Sequence, residues 1–320
     1  MKPMKRDLKA LCDRTFDVIV VGGGITGVHV ARDAALRGLR VALLEAGDFG
    51  SATSSNSLRT VHGGLRYLQD ANLRLVRMMV RERRALFRIA PHLVYPLPVL
   101  MPTYRDELRY RKPVLGAAVR LNDLLSFDRN RGVVPSRHLP GGRILSRGDV
   151  LRLLPGLEAS GLTGAVCWYD GQVYDTERLL LSVLGSAVQR GAVVANYVRV
   201  TGLLRRGEQV TGVEAVDTET GAPLSIAGRV VVNAAGPWVD EVIGSTRPAR
   251  RPRFLRSVAM NLVTRQVVPE VAIGLRSRVA WPGGGPCREQ VLFVAPWKSC
   301  SLIGTLHFSA EGRSDHPRVT

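Results

Sequence analysis

The sequence predicts an α/β chain: a layer of parallel strands and helices with an inserted, mainly antiparallel β domain of α+β character. Three observations predict it. A short β-branched apolar run is followed by a glycine-rich turn, an amphipathic helix and a second apolar run. A βββ meander lies far downstream, and the last third alternates short strand-like runs with turns.

Taken in order, residues 16–21 (FDVIVV) have the look of a buried parallel strand. Residues 22–24 are three glycines, and 25–36 then carry Val28, Ala31 and Ala35 on one helical face, with Gly38 ending the helix. Residues 40–44 (RVALL) form the second strand and deliver Glu45. A right-handed crossover makes these two strands parallel neighbours. After a small-residue loop over 50–64, a helix is expected from about 72 to 90, with Leu73, Val76, Val80 and Phe87 as its apolar stripe and Pro91 beyond its end. Arg74, Arg77, Arg81, Arg84 and Arg88 load the other faces; a solvated surface explains them more simply than contact with anionic lipid. From 91 to about 164 prolines and arginines are frequent and periodicity is weak, which reads as a loop-rich insertion. A helix over 176–190 leads to strands near 193–200, 209–217 and 229–233, and further strands are read at 254–264, 290–297 and 301–308. The resulting division assigns 14–90 and 165–245 to a nucleotide-binding domain, and 91–164 and 246–320 to a substrate or cap domain.

The 320 residues carry a net charge of +18, yet only five basic residues are lysines: Lys2, Lys5, Lys9, Lys112 and Lys298. So arginine-rich a balance reflects base composition as much as function. No nucleic-acid-binding signature accompanies the charge, so no nucleic-acid partner is expected, and the charge points to an anionic membrane surface or to no partner at all. Cys12, Cys167, Cys287 and Cys300 form no CxxC pair and no metal-ligand spacing, so no metal site is expected. The sequence shows neither a membrane-length apolar run nor a signal-peptide core. The expected location is cytoplasmic, with any membrane contact peripheral on the inner face of the plasma membrane.

Gly22-Gly23-Gly24-Ile25-Thr26-Gly27 satisfies GxGxxG between a strand and a helix, with Glu45 at the end of the next strand. Gly22 permits a tight turn, Gly24 lets amides approach a pyrophosphate, and Gly27 lets the helix pack on the strand. The helix N-terminus attracts the diphosphate charge, and Glu45 is suited to accept hydrogen bonds from ribose hydroxyls. This is a Rossmann-type signature. The hydroxyl-rich run Ser51-Ala52-Thr53-Ser54-Ser55-Asn56-Ser57 and the small-residue strand end Asn233-Ala234-Ala235-Gly236-Pro237-Trp238 point to FAD rather than NAD, and together they resemble the FAD domain of D-amino-acid-oxidase-like flavoproteins. In that group the strand matching 197–200 meets adenine through its backbone, which assigns Val198. The cofactor-side positions are thus Gly22, Gly24, Thr26, Gly27, Glu45, Ala46, Thr53, Ser54, Ser55, His62, Gly63, Gly64, Val198, Ala235, Gly236 and Trp238.

Within that group, Ala52-Thr53-Ser54-Ser55 followed by His62-Gly63-Gly64-Leu65-Arg66-Tyr67-Leu68 is similar to the FAD-dependent glycerol-3-phosphate dehydrogenases. So are Ala90-Pro91-His92-Leu93, Ala295-Pro296-Trp297 and Ile303-Gly304-Thr305. The resemblance implies hydride transfer from C2 of glycerol 3-phosphate to flavin N5, giving dihydroxyacetone phosphate, with electrons passed to quinone or, in the oxidase branch, oxygen. Such chemistry needs a proton acceptor at the alcohol. His62 is the candidate; a structural histidine bonding the loop backbone is the alternative. Arg66 and Tyr67 match the family's phosphate-binding pair. Arg59 stands where relatives carry lysine, and Trp238 and Trp297 read as packing rather than substrate contacts.

Two segments depart from the family. Val258-Ala259-Met260-Asn261 stands where relatives have Lys-Gly-x-His, and Gly304-Thr305-Leu306-His307 stands where they have Gly-Thr-Thr-Asp. The chain also stops at Thr320, before an arginine and a glycine-rich segment that relatives carry, so a fragment, a truncated reading frame or an incompletely sequenced gene is expected. The alternatives to the dehydrogenase are a non-catalytic flavoprotein remnant and an FAD-dependent oxidase of another hydroxy or amino substrate.

Overall fold

The computed structural model describes residues 4–106, 108–244, 256–268, 270–279 and 288–309. Cys287, the start of the strand expected at 254–264, and nearly all of 309–320 lie outside the described residues. Along the chain, α1 (Leu8–Cys12) leads into β1 (Thr15–Val21), α2 (Ile25–Leu36) and β2 (Val41–Leu44). Next come β3 (Thr60–Val61), α3 (Leu73–Ile89), β4 (Val94–Tyr104), α4 (Lys112–Leu125), β5 (Arg143–Ser146), α5 (Arg147–Leu153) and β6 (Leu162–Val173). Then follow α6 (Thr176–Gln189), β7 (Val193–Ala195), β8 (Val198–Arg206), β9 (Gln209–Asp217), β10 (Pro223–Asn233) and α7 (Val239–Gly244). The last strands are β11 (Ser257–Arg265), β12 (Ala272–Val279), β13 (Arg288–Trp297) and β14 (Cys300–Ser309).

The chain forms two compact units, 1–57 with 176–258 and 309–320, and 58–175 with 259–308. In the first, a six-stranded sheet has the order β7-β2-β1-β10-β9-β8. β7, β2, β1 and β10 run parallel, and β10, β9 and β8 form the expected antiparallel meander. Both faces are covered, which is why β1 and β2 read as unbroken apolar runs. Val20, Val41 and Leu43 pack toward α2 and α6. Ile19, Val21, Ala42 and Leu44 point the other way, into a core shared with Leu11, Val213 and Ile226.

The second unit is an eight-stranded, mainly antiparallel sheet of order β11-β14-β13-β12-β4-β6-β3, with β5 on β6. Alternation again splits its residues between two cores. Leu97, Val99, Val166 and Trp168 lie on one face, and Leu100, Cys167, Ile273 and Val294 on the other. The division differs from the sequence-based one: 58–90 and 165–175 sit in this unit. The reason is pairing at a distance, since β3 and β4 both zip onto β6.

The loop-rich reading of 91–164 is corrected, because this stretch holds β4, α4, β5 and α5. β4 escapes notice because Pro96, Pro98 and Pro102 suggest loop. All three share one parity, so their missing N–H groups fall along one edge of the strand. Pairing to β6 accordingly runs its full length, while β12 meets it only at Val99 and Leu100. α4 hides because it buries only Gly116, Val119 and Asn122, too narrow a stripe for a strong period. The strand expected at 193–200 is two strands, broken at Tyr197, whose φ is +54.

α3 begins after Asn72, whose side chain accepts from the Leu75 amide and caps the helix. Its buried face is Val76, Val80, Arg83 and Phe87, while Leu73 of the expected stripe is exposed. Arg77 and Arg84 are not simply solvated; both grip Asp128. No described helix is long and apolar enough to cross a membrane.

Candidate functional site

In the first unit, the turn after β1 brings most of the cofactor-side residues together. Gly22 has φ +108, and a Cβ there would lie 2.4 Å from the Ala234 carbonyl oxygen at the end of β10. A Cβ on Gly27 would lie 1.9 Å from the Gly22 carbonyl oxygen, so only glycine lets α2 pack this close to the turn. The Ser54 hydroxyl accepts from the Ile25 amide at 2.9 Å, and so caps α2 from the hydroxyl-rich loop. Gly24, the N-cap residue itself, supplies no side-chain cap. Ser55 bonds the Ala52 carbonyl within the same loop. Thr26, Ala46, Thr53 and Gly236 are exposed.

Glu45 accepts backbone amides on both carboxylate oxygens, from Gly23 at 2.6 Å and from Gly47 at 2.8 Å. Each oxygen keeps a second lone pair for a hydroxyl donor. The Val198 amide donates to the Glu45 carbonyl at 2.8 Å, which places the start of β8 beside the end of β2. Ala235 lies in a turn pinned by Asn233, whose side chain bonds the Val239 carbonyl and the Ala235 amide. Trp238 closes that turn and is partly exposed. This cradle has no room for side chains at two glycines, a helix N-terminus without an acid in its first turn, and a carboxylate at the ribose end. It fits the adenosine diphosphate half of FAD.

The second unit carries His62, Gly63, Gly64, Arg66 and Tyr67. The latter two lie on a 3-10 turn, Leu65–Leu68, with Arg66 exposed and Tyr67 half-buried. His62 Nδ1 lies 3.2 Å from Asp170 Oδ2 on β6. Asp170 is buried and collects three further donors: the Gly63 amide at 2.7 Å, Arg83 of α3 at 2.6 Å and the Trp168 indole at 3.3 Å. Burial alone would push the Asp170 carboxyl up; the His62 hydrogen bond and the Arg83 guanidinium outweigh it and bring it down to about 2. Arg83 is drawn down by burial, opposed by Asp170, and stays charged. A Cβ on Gly63 would lie 2.2 Å from an Arg83 nitrogen, so this glycine makes room for the guanidinium.

His62 and Asp170 line a cavity of about 10 Å³ with Thr60, Leu97, Val99 and Phe293. That is space for about one water. A wider crevice of about 370 Å³, lined by Tyr104, Arg105, Arg111, Lys112, Pro113 and Thr163, contains none of the predicted site residues. Trp297 packs as expected: its indole donates to the Tyr174 carbonyl at 2.8 Å and the Arg59 guanidinium lies 4.5 Å over its ring. Asn261 accepts from the Thr305 hydroxyl at 2.9 Å, tying β11 to β14.

The sequence alone does not single out Asp170 or Arg83. The available signals were the polar alternation Trp168, Asp170, Gln172 along β6, and an arginine at the apolar spacing 76, 80, 83, 87.

A glycine-loop βαβ unit joined to a mainly antiparallel β unit is the architecture of a Rossmann-type flavoprotein oxidoreductase. The family model described as FAD dependent oxidoreductase matches residues 17–320, and the chain belongs to that family. It is 39% identical over 308 residues to the glycerol-3-phosphate dehydrogenase of Mycobacterium leprae, covering 95% of this chain and 49% of that protein. It is 36% identical to the glycerol-3-phosphate dehydrogenase of Synechocystis, covering 98% of this chain and 56% of that one. Among solved structures, the Bacillus halodurans glycerol-3-phosphate dehydrogenase complexed with FAD aligns with a TM-score of 0.72 at 27% identity, covering 98% of this chain and 51% of that one. The chain spans about half the length of the curated relatives it matches.

Proposed function

We propose that this chain serves flavin-dependent oxidation of glycerol 3-phosphate to dihydroxyacetone phosphate, with electrons passed to a quinone or another acceptor. The observation that carries the reading is the His62–Asp170 pair, with His62 just ahead of the Leu65–Leu68 turn that bears Arg66 and Tyr67. The names of the M. leprae, Synechocystis and B. halodurans relatives support the same substrate.

In the first unit the Gly22–Gly27 turn, the α2 N-terminus and Glu45 would hold FAD. When bound, FAD would supply a two-electron acceptor. His62 takes the proton of the C2 hydroxyl, so that the oxygen's electron pair forms the new carbonyl as the hydride leaves. Arg66 grips the phosphate through paired N–H donors and Tyr67 adds a hydroxyl. A cytoplasmic location with peripheral contact to an anionic membrane surface belongs to the same proposal. A second reading, another hydroxy or amino substrate, is favoured by Asn261, which is committed to Thr305 where relatives carry the histidine of Lys-Gly-x-His.

The test is an anaerobic visible spectrum of the FAD-loaded protein before and after glycerol 3-phosphate. Bleaching of the flavin band supports the proposal. An unchanged band that bleaches with a different hydroxy or amino compound transfers it to the second reading. A chain that takes up no FAD is a non-catalytic remnant.

A further inference from the structure

We propose that Asp170 is a positioning residue that holds His62 as the Nδ1–H tautomer, with Arg83 locking Asp170 in place. The inference rests on His62 being the proton acceptor of the reaction. An ionised carboxylate can only accept hydrogen bonds, so the ring nitrogen 3.2 Å from Asp170 Oδ2 must carry a hydrogen. The lone pair then belongs to Nε2, on the far side of the ring from Asp170, and the half-exposed side chain leaves it accessible. In free histidine the Nε2–H form predominates, which would place the lone pair on Nδ1. The protein therefore has to select the less populated tautomer to present a base at the ring's outer edge.

The rest of the cluster fixes the selector. Each Asp170 oxygen takes two donors: Gly63 N–H and Arg83 on Oδ1, His62 and the Trp168 indole on Oδ2. These come from the loop after β3, from α3 and from β6, so rotating the carboxylate breaks bonds to three parts of the unit. Arg83 is itself held by the Tyr169 carbonyl at 2.7 Å. Its charge balances that of Asp170, and the pair presents a hydrogen-bond acceptor to His62 without leaving an isolated charge in the core.

The tautomer is read by long-range proton–nitrogen correlation spectra of the FAD-loaded chain labelled with nitrogen-15 histidine, at alkaline pH. His62→Asn assigns the signal. A native His62 protonated on Nδ1 is the expected result; one protonated on Nε2 overturns the proposal. In Asp170→Asn, an Nε2–H or mixed spectrum is expected, whereas an unchanged Nδ1–H spectrum also overturns it. The same variant should slow flavin reduction at saturating glycerol 3-phosphate by roughly 10²–10⁴-fold, with the half-saturating concentration little changed. Should Asp170→Asn fail to fold, because Arg83 is left without its partner, the native spectrum alone decides. Rapid flavin reduction by His62→Asn sinks the base assignment instead, and leaves the tautomer result standing.

Discussion

A methyl group on Gly63 would lie 2.2 Å from an Arg83 nitrogen and force the guanidinium off Asp170. Because both charges are buried, Gly63→Ala should destabilise the second unit by about 3–5 kcal/mol, the usual consequence of breaking a buried pair. A shift of the urea midpoint of less than a tenth of the native value would show that Arg83 relocates freely. Acid sensitivity follows from two carboxylates. Hydrogen bonding and charge from Arg77 hold Asp128 at about 2, and Asp170 is also brought to about 2, both below the ordinary 3.8. Their folded-state values are depressed, so the stability they add is full above about pH 4–5 and is lost as the pH falls toward 2. Asp128→Asn should therefore flatten the dependence of the urea midpoint on pH between about 5 and 2; an unaltered slope would remove Asp128 from the account. At this scale the glycine turn and Glu45 were legible, because phosphate and ribose chemistry dictates residue types at fixed spacing. Asp170 and Arg83 were not, because an arginine on an arginine-rich helix and an aspartate on a strand acquire their meaning only when folding brings them within hydrogen-bond distance.

Among the elements, α3 shows how much rides on local chemistry. Asn72 caps it, no acid occupies its first turn, and its buried face is narrow. Asn72→Ala should cost about 1 kcal/mol, visible as a lower thermal midpoint and faster amide exchange at Leu75; an unshifted midpoint would mean that packing by Val76, Val80 and Phe87 alone sets the helix start. β1, α2, β2 and α6 were readable because each is either buried on both faces or amphipathic with the right period. β4, β6 and β12 were harder. Prolines of one parity are compatible with a strand only when the neighbour on the other edge supplies the full ladder, and that neighbour, β6, is some 60 residues away in sequence.

For the whole molecule, the cofactor cradle is assembled by the first unit from three distant segments: the turn after β1, the loop after β2 and the end of β10. A ligand that binds only the folded form adds RT ln(1 + [L]/Kd), about 2.7 kcal/mol at one hundred times its dissociation constant. FAD at that excess should slow amide exchange across β1, α2 and β2, and Gly27→Ala should abolish the effect because α2 can no longer close on Gly22. Equal exchange with and without FAD in the native chain would argue that the cradle is not the cofactor site.

Legible from the sequence alone are the βαβ unit and its FAD signature. Those features depend on contacts within a few tens of residues, or on a turn whose geometry tolerates few residue types. Only the tertiary structure decided that residues 58–90 and 165–175 belong with the antiparallel sheet, and that a buried carboxylate and arginine stand behind His62. Strand pairing and buried charge compensation join residues that are remote along the chain, and local sequence pattern carries no record of which remote partner will meet which.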